Sequence, residues 1–339
     1  MRPGFLVKLK PDGPWRIGPD TGDAHRTGQI LHSDAVYSAL THAMARLGEL
    51  DAWLAATAAS PGGPEVCFSS CYPFHRDTLL VVPPRGVWPP PPSAKLRYQS
   101  VRFVPLSFIE GLFSDQPVDE DRWLIDGPSE CLLPSGKGPG AGPFRVTLRS
   151  HAAVDRLIPG QVHTHSTACL EFAEGAGLWL AVEFQNEDAS ERWGAPVRAA
   201  LRLLADSGIG GRRSLGWGRA QMPEITEGSL PGLIWSPKED SAASEHAWWL
   251  LSLFAPAETD EVDWRRGSYT TLTRSGRIES SANWGGLKVP LPMIAEGSVV
   301  VAPAEPRGSA RDIAPPGFPH PVYRSGFAVS IPIPWRASA

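Results

Sequence analysis

Two hydrophobic periods run through this chain and predict most of its elements. Val36, Leu40, Ala43, Met44 and Leu47 recur at helical spacing, which predicts an amphipathic helix. Ser33 can cap its start and Gly48 can end it. A second helix is predicted over 190–206, with Val197, Leu201 and Leu204 on one side. A short helix is predicted over 105–113. The other period is two. Leu178, Leu180, Val182 and Phe184 alternate with Trp179, Ala181 and Glu183, the pattern of a strand with one buried face. A first strand is expected over 4–10. Residues 65–72 and 76–82 read as a hairpin broken by Pro73-Phe74-His75.

Between these segments the chain is rich in turn formers. A Gly/Pro/Asp-rich loop precedes the first helix, Pro83, Pro84 and Pro89 to Pro92 mark a loop or spacer, and 134–143 reads as a loop. The order strand, helix, strands, strand, helix, loop, strand suits a split βαβ, ferredoxin-like unit over 1–226. A polar stretch at 227–246 separates a smaller second domain, 227–339. Strands are expected there near 248–254, 268–274, 297–302 and 326–333, with few helical signals.

Composition narrows the classes. The chain has 339 residues, 42% of them hydrophobic and 20% charged, which is a globular balance. Its net charge of −4 excludes a generic nucleic-acid coat, so any RNA contact must be local. No apolar run is long enough to span a bilayer, and the first residues lack the apolar core of a signal peptide. A cytoplasmic protein without a membrane partner is expected. Cys67, Cys71, Cys131 and Cys169 contain no Cys-x-x-Cys pair. Reduced buried or loop thiols are expected, with no metal and no cofactor, and His163 and His165 beside Cys169 are the nearest approach to a zinc set.

One stretch stands apart. Residues 206–219 read Asp-Ser-Gly-Ile-Gly-Gly-Arg-Arg-Ser-Leu-Gly-Trp-Gly-Arg. Gly208, Gly210, Gly211, Gly216 and Gly218 permit positive φ and close approach. Arg212, Arg213 and Arg219 add forked donors, and Ser214 a hydroxyl. Consecutive amides in such a loop form an anion-binding concavity. From Arg192 to Arg219 there are six arginines and one acid, Asp206, in an acidic chain. Gly208 read alone is a helix C-cap. Trp217 is either a platform for a base or a core residue. The residues of 264–277 include Arg265, Arg266, Arg274 and Arg277 and no acid.

The loop Gly208-Ile-Gly-Gly-Arg-Arg-Ser-Leu-Gly-Trp-Gly-Arg resembles the glycine-rich loop of RAMP proteins, the RNA-binding subunits of CRISPR effectors. The helix start His32-Ser-Asp-Ala-Val-Tyr-Ser-Ala-Leu, the segment Ala153-Val-Asp-Arg-Leu-Ile-Pro-Gly and the strand from Gly177 resemble the same superfamily. Tyr269-Thr-Thr-Leu-Thr-Arg-Ser-Gly-Arg, Glu296-Gly-Ser-Val-Val and Val322-Tyr-Arg-Ser-Gly-Phe-Ala are similar to the Csm subunit four family of type III-A systems. That resemblance implies an α+β fold of two ferredoxin-like (RRM-like) domains with a protruding β-hairpin thumb. It implies a non-catalytic subunit of the Cas five-type group, for antiviral defence, that grips the 5′ handle of the crRNA. The implied partners are the large polymerase-cyclase subunit, the backbone RAMP subunits and, through the guide, target RNA. The type III-D subunit of the same group stays open. Site residues implied beyond the loop are Ser33, Arg156 and Arg274. Leu157, Ile158, His163 and His165 lie where a thumb would wedge into a duplex.

Two enzymatic alternatives remain at this stage. A RAMP endoribonuclease could use His32, with His25 and His42 as other histidines of the first domain. Asp34, before the first helix, sits where a backbone RAMP subunit cuts target RNA, and also where an acid stabilises a helix N-terminus. No Walker pattern is present, and the glycines follow a helix, against a dinucleotide fingerprint.

Overall fold

The computed structural model describes residues 1–18, 22–60, 62–91, 96–113, 118–136, 142–154, 162–235, 246–279 and 286–334. The first half builds one large antiparallel sheet. Strand β1 (Arg2–Leu9) leads to helix α1 (Ser33–Leu47) and a short helix α2 (Leu50–Ala56), then to β2 (Val66–Phe68), β3 (Tyr72–His75), β4 (Thr78–Val81) and β5 (Val104–Pro105). Helix α3 (Leu106–Phe113) and a small hairpin, β6 (Trp123–Asp126) with β7 (Cys131–Pro134), follow. A long hairpin comes next, β8 (Phe144–Val154) with β9 (Val162–Phe172). Strand β10 (Ala176–Phe184), helix α4 (Glu187–Ser207) and strand β11 (Glu224–Leu230) complete it. In the sheet, β11 pairs β1, β1 pairs β10, and β10 pairs both β2 and β3, all antiparallel.

The helices follow their caps and stripes. Gly48 ends α1 in the left-handed region, and its buried residues include Val36, Tyr37, Leu40, Ala43 and Met44. The Asn186 side chain accepts from the Ala189 amide at the start of α4. Val197, Leu201 and Leu204 are buried on α4, which packs against α1 and the sheet.

Three local readings change. Every residue of β10 is buried, not one face only, because Trp179 and Ala181 are as apolar as the residues they alternate with. The break expected at Pro73 falls elsewhere. Tyr72–His75 is a strand, and the chain turns at Arg76, in the left-handed region, and Asp77. The first sheet also continues to Leu230, past the expected boundary at 226/227.

The second half is made of β12 (His246–Leu250), β13 (Asp263–Ser268), β14 (Thr271–Arg274), β15 (Leu291–Ile294), β16 (Val299–Val301), β17 (Gly308–Asp312), β18 (Tyr323–Phe327) and β19 (Ser330–Pro334). A four-stranded sheet runs β13-β16-β12-β19, beside the pairs β14-β15 and β17-β18. Among the described residues this half carries no helix. The strands are short and set apart by proline- and glycine-rich turns, a pattern that gives no room for a helical period.

The halves share one core. Phe5, Leu40, Trp179 and Val182 belong to the same buried cluster as Trp249, Val299, Phe327 and Ile331. Polar bonds cross the join as well. The Ser70 amide donates to the Leu251 carbonyl (2.9 Å), the Leu253 amide to Ser33 Oγ (3.0 Å), and the Tyr72 hydroxyl to the Leu251 carbonyl (2.7 Å).

Candidate nucleic-acid interface

Helix α4 delivers the chain into the glycine-arginine loop, and the loop closes on itself. Gly208 is its C-cap, the Ile209 amide donates to the Gly218 carbonyl (3.0 Å), and the two limbs lie backbone to backbone. Gly218 sits at φ 81°, and a Cβ there would lie 2.0 Å from the Ile209 carbonyl oxygen. Only glycine fits. The loop is then tied to residues 12–16. The Gly218 amide donates to Pro14, the Gly211 amide to Arg16 (2.9 Å), and the Asp12 amide and Trp15 Nε1 both donate to the Arg219 carbonyl (3.0 Å each).

Above this frame stands an exposed crest. Gly210, Arg212, Arg213, Ser214, Gly216 and Arg219 are exposed, and Gly211 is half-buried. Arg212 takes the left-handed region at φ 63° and starts a single 3₁₀ turn, Arg213–Leu215, that Gly216 ends. The amides of Gly211, Leu215, Gly216 and Gly218 are hydrogen-bonded to carbonyls. Those of Arg212, Arg213 and Ser214 meet no main-chain carbonyl among the described residues. Three consecutive amides without a main-chain partner among the described residues and three exposed guanidiniums therefore lie in one loop, a composition that suits an anion. The amide of Gly211, expected to approach phosphate oxygens directly, is instead tied to Arg16.

Other expected residues lie inside. Gly208 and Gly218 are buried as packing positions. Trp217 is buried, tilted against the His151 ring at 5.7 Å, so it is core and not a free platform. Ser33 is buried between Ser70 and Leu253. Arg274 is drawn to Asp34: its Nε and Nη2 donate to the two carboxylate oxygens at 3.1 Å each. Arg156, Leu157 and Ile158 lie outside the described residues.

The loop meets the foot of the β8-β9 hairpin. Arg212 Nη2 lies 3.4 Å from Thr167 Oγ1. Across the hairpin, His151 and His165 are register partners, their rings stacked at 5.3 Å and 24°. From Val162 to His165 the second strand is exposed, while Thr167 to Leu170 are buried, so the hairpin leaves the body near Ser166. A cleft of about 670 Å³ opens there, lined by Ala24, His25, Ser150, Thr164, His165, Ser166 and Arg212. Arg16 lies beneath, its guanidinium donating to the carbonyls of Ala24 (3.0 Å), Arg26 (3.3 Å), Ala168 (3.1 Å) and Asp23 (2.8 Å). Burial and the neighbouring Arg212 cation lower its pKa. Sequence reading passed over Arg16 and His151. The alternation of His163, His165 and Thr167 along one strand face was the available signal.

The catalytic alternatives fare differently. Asp34 is buried and paired with both Arg274 and Arg324. Burial alone would raise its carboxyl, yet the two guanidiniums hold it below the ordinary value. Asp34 lies in the first turn of α1, whose N-cap residue is His32 and not the expected Ser33, and His32 makes no side-chain capping hydrogen bond. His32 Nδ1 lies 2.7 Å from Glu296 Oε1, and Ser70 Oγ donates to the same oxygen. Burial pushes Glu296 up, and His32 and Ser70 bring it below its usual range. Both pairs join the start of α1 to the second half.

Among the described residues no cluster of three His, Cys, Asp or Glu could hold a metal ion. All four cysteines are free and buried, and burial pushes the Cys67 thiol up to about 12. No helix among the described residues is long and apolar enough to cross a membrane.

The architecture is antiparallel α+β, with a glycine-rich loop behind its second long helix. The family model of the CRISPR Csm4 C-terminal domain matches residues 243–333. A chain of a Csm3-Csm4 subcomplex from a type III-A CRISPR-Cas interference complex has the same fold, with 14% identity, a TM-score of 0.64, and 98% of this chain and 99% of that one covered. A chain of a Csm1-Csm4 cassette in complex with pppApA follows at 17% identity and TM-score 0.57, and one of a cassette with cA4 at 18% and 0.55, each covering 99% of both chains. No curated protein matches by sequence. Residues 243–333 thus match the Csm4 C-terminal domain family, and the whole chain shares the fold of chains from Csm3-Csm4 and Csm1-Csm4 assemblies.

Proposed function

We propose that this chain is a non-catalytic, cytoplasmic subunit that grips the 5′ handle of the crRNA in a type III-A effector. In this reading it joins the large polymerase-cyclase subunit to the backbone RAMP subunits. The first half is a ferredoxin-like unit: its strands in chain order, β1, β2 with β3, β10 and β11, lie in the spatial order fourth, first, third, second, with α1 and α4 as the two connecting helices. The β8-β9 hairpin is its thumb. Csm4 relatives occur in assemblies with Csm3 and with Csm1, which supports the two neighbours.

The observation that carries the reading is the exposed crest of Arg212, Arg213 and Arg219, whose loop includes three amides with no main-chain partner among the described residues. Single-stranded RNA is held in this manner, by phosphate contacts with a few splayed bases. The arrangement of Asp34 supports a holder over a nuclease. Its carboxylate is enclosed by two guanidiniums, and a lone enclosed carboxylate is a poor Mg²⁺ ligand.

The test is recovery of RNA with the full chain from cells carrying a repeat array. RNA of discrete length should co-purify uncut. Rebound to the chain with Arg212→Ala and Arg213→Ala, it should bind roughly 10-fold or more weakly, with the salt slope reduced by about two. Unchanged affinity and slope would remove the loop as the RNA site. Cleavage of the RNA by the wild-type chain, lost in Asp34→Asn or His32→Ala, would make it an endoribonuclease.

A further inference from the structure

Between the glycine-arginine loop and the long hairpin runs a strap of chain, residues 11–17, whose main-chain groups alternate between the two. On one side the Asp12 amide donates to the Arg219 carbonyl, the Gly218 amide to the Pro14 carbonyl and the Gly211 amide to the Arg16 carbonyl. On the other side Trp15 exchanges both main-chain bonds with Leu170 of β9, at 3.0 and 2.7 Å. The Trp15 ring reaches both partners: its Nε1 donates to the Arg219 carbonyl, and it meets the Phe172 ring of β9 edge-on at 6.3 Å. Loop and hairpin also touch directly, through Arg212 and Thr167 at 3.4 Å and through the rings of Trp217 and His151. The first of these contacts is at the long limit of a hydrogen bond.

Arg16 adds a side chain to this strap, at the place where the hairpin departs. It is 9% exposed. Its Nη1 donates to the Ala168 carbonyl (3.1 Å), two residues from Ser166, and to the carbonyls of Ala24 (3.0 Å) and Arg26 (3.3 Å), while Nη2 donates to that of Asp23 (2.8 Å). Four carbonyls from two separate segments thus converge on one guanidinium. The site resists positive charge, since burial first and the Arg212 cation second lower the Arg16 pKa. A guanidinium keeps its charge there, where an ammonium would lose it more readily, and its planar fork reaches carbonyls in several directions. The loop leaves the strap no slack. A Cβ on Gly210 would lie 2.4 Å from the Arg16 carbonyl oxygen.

We propose that Arg16 is a positioning residue for RNA binding: its guanidinium ties the hairpin, where it leaves the body, to the frame of the glycine-arginine loop, and so fixes the angle at which loop and hairpin face one RNA. Arg16 itself touches no RNA. The binding part of this inference rests on the loop being the RNA site, and the geometric part does not. A clamp of this kind lowers the ordering cost of binding, because the hairpin is set before the RNA arrives.

The test measures the angle and the binding separately. Spin labels are placed on the full chain at Leu148→Cys in the hairpin and Leu47→Cys at the end of α1, both exposed, while the four native thiols are buried. Without RNA the label-to-label distance distribution should be single and narrow. Arg16→Met keeps an apolar stem without the donors and should widen that distribution about twofold or more. In the unlabelled chain it should weaken rebinding of the co-purified RNA on the order of fivefold, with the salt slope unchanged because no phosphate contact is lost. Arg16→Lys keeps a cation without the fork and should widen the distribution less, in the same direction; it serves if Arg16→Met fails to fold. A wild-type distribution in every variant that folds overturns the proposal. A salt slope lower by about one in Arg16→Met and restored in Arg16→Lys also overturns it, since Arg16 would then be a phosphate contact. Wild-type RNA affinity in Arg16→Met, with Arg212→Ala/Arg213→Ala still weak, overturns the positioning role and leaves the holder intact. Wild-type affinity in the double arginine variant removes the holder itself.

Discussion

The molecule contains two arginine clusters of opposite character. At the start of α1, Arg274 and Arg324 converge on Asp34 with all three side chains nearly out of water. At the end of α4, Arg212, Arg213 and Arg219 stand exposed, and Glu279, itself exposed, pairs with Arg213. In sequence both clusters are arginines among glycines and serines. What separates them is where their countercharge comes from. The first brings its own carboxylate and locks two halves of the chain together. The second has less than it needs, and that deficit is what a polyanion can fill.

The sharpest way to break this contrast is to remove the internal carboxylate. Asp34→Ala takes the shared carboxylate away from Arg274 and Arg324, at a cost of about 3–5 kcal/mol. The urea midpoint should fall with m unchanged, while RNA affinity per folded molecule holds. A drop in RNA affinity without a drop in stability would move Asp34 into the interface. Acid should do the same as the mutation. Asp34 and Glu296 both have native values below the ordinary range, so their contribution is complete above about pH 4–5. It is lost as the pH falls through those depressed values, where the native carboxylates at last take up protons. In Asp34→Ala that acid-dependent loss should shrink, as read from unfolding midpoints across pH 3–6.

Next in size is a change in the frame of the loop. Gly218→Ala puts a methyl group against the Ile209 carbonyl in a left-handed backbone position. Both limbs must shift, at a cost of about 3 kcal/mol. Gly216→Ala shares the positive φ but meets no atom within 4 Å, so it should cost only about 1 kcal/mol. Thermal melts of the two variants compare them directly. Equal losses would mean that the limbs do not pack as described and that the crest lacks a rigid base.

Much of this was legible in the chain. The stripe and stop of helix α1 were plain, with Gly48 ending it, but the cap expected at Ser33 falls on His32, whose side chain makes no capping hydrogen bond, and Ser33 Oγ accepts from the Leu253 amide instead. The strand of Leu178 to Phe184 and the helix through Val197, Leu201 and Leu204 were equally plain. The glycine-arginine loop announced an anion surface, and its arginines are indeed outside. The depth of its glycines and of Trp217 was not legible, because close backbone approach and ligand approach require the same residue. Arg274 and Asp34 are 240 positions apart, so no local pattern reveals their pairing. The long hairpin was expected only through the resemblance and not from its pattern: Val146, Leu148 and Val162 are apolar yet exposed, which spoils the alternation a half-buried strand would show. Cys67 and Cys71 have an answer in depth alone, as buried thiols on and beside the short strand Val66–Phe68.

The smallest effect on stability belongs to Arg213→Ala, and it separates the clusters most cleanly. Arg213 and Glu279 form a pair at 3.0 Å with both side chains largely in water. Such pairs contribute about 0–1 kcal/mol, so the melting temperature should barely move. RNA binding should nonetheless weaken, with the salt slope lower by about one, since one phosphate contact is removed. Glu279→Gln supplies the reverse change. It frees the Arg213 guanidinium from its one exposed acid, and RNA affinity should rise modestly. A fall in affinity on that substitution would show that Glu279 positions Arg213 for the RNA, in which case the crest is preorganised by its own carboxylate, as the buried cluster is, and the two regions differ in exposure rather than in kind.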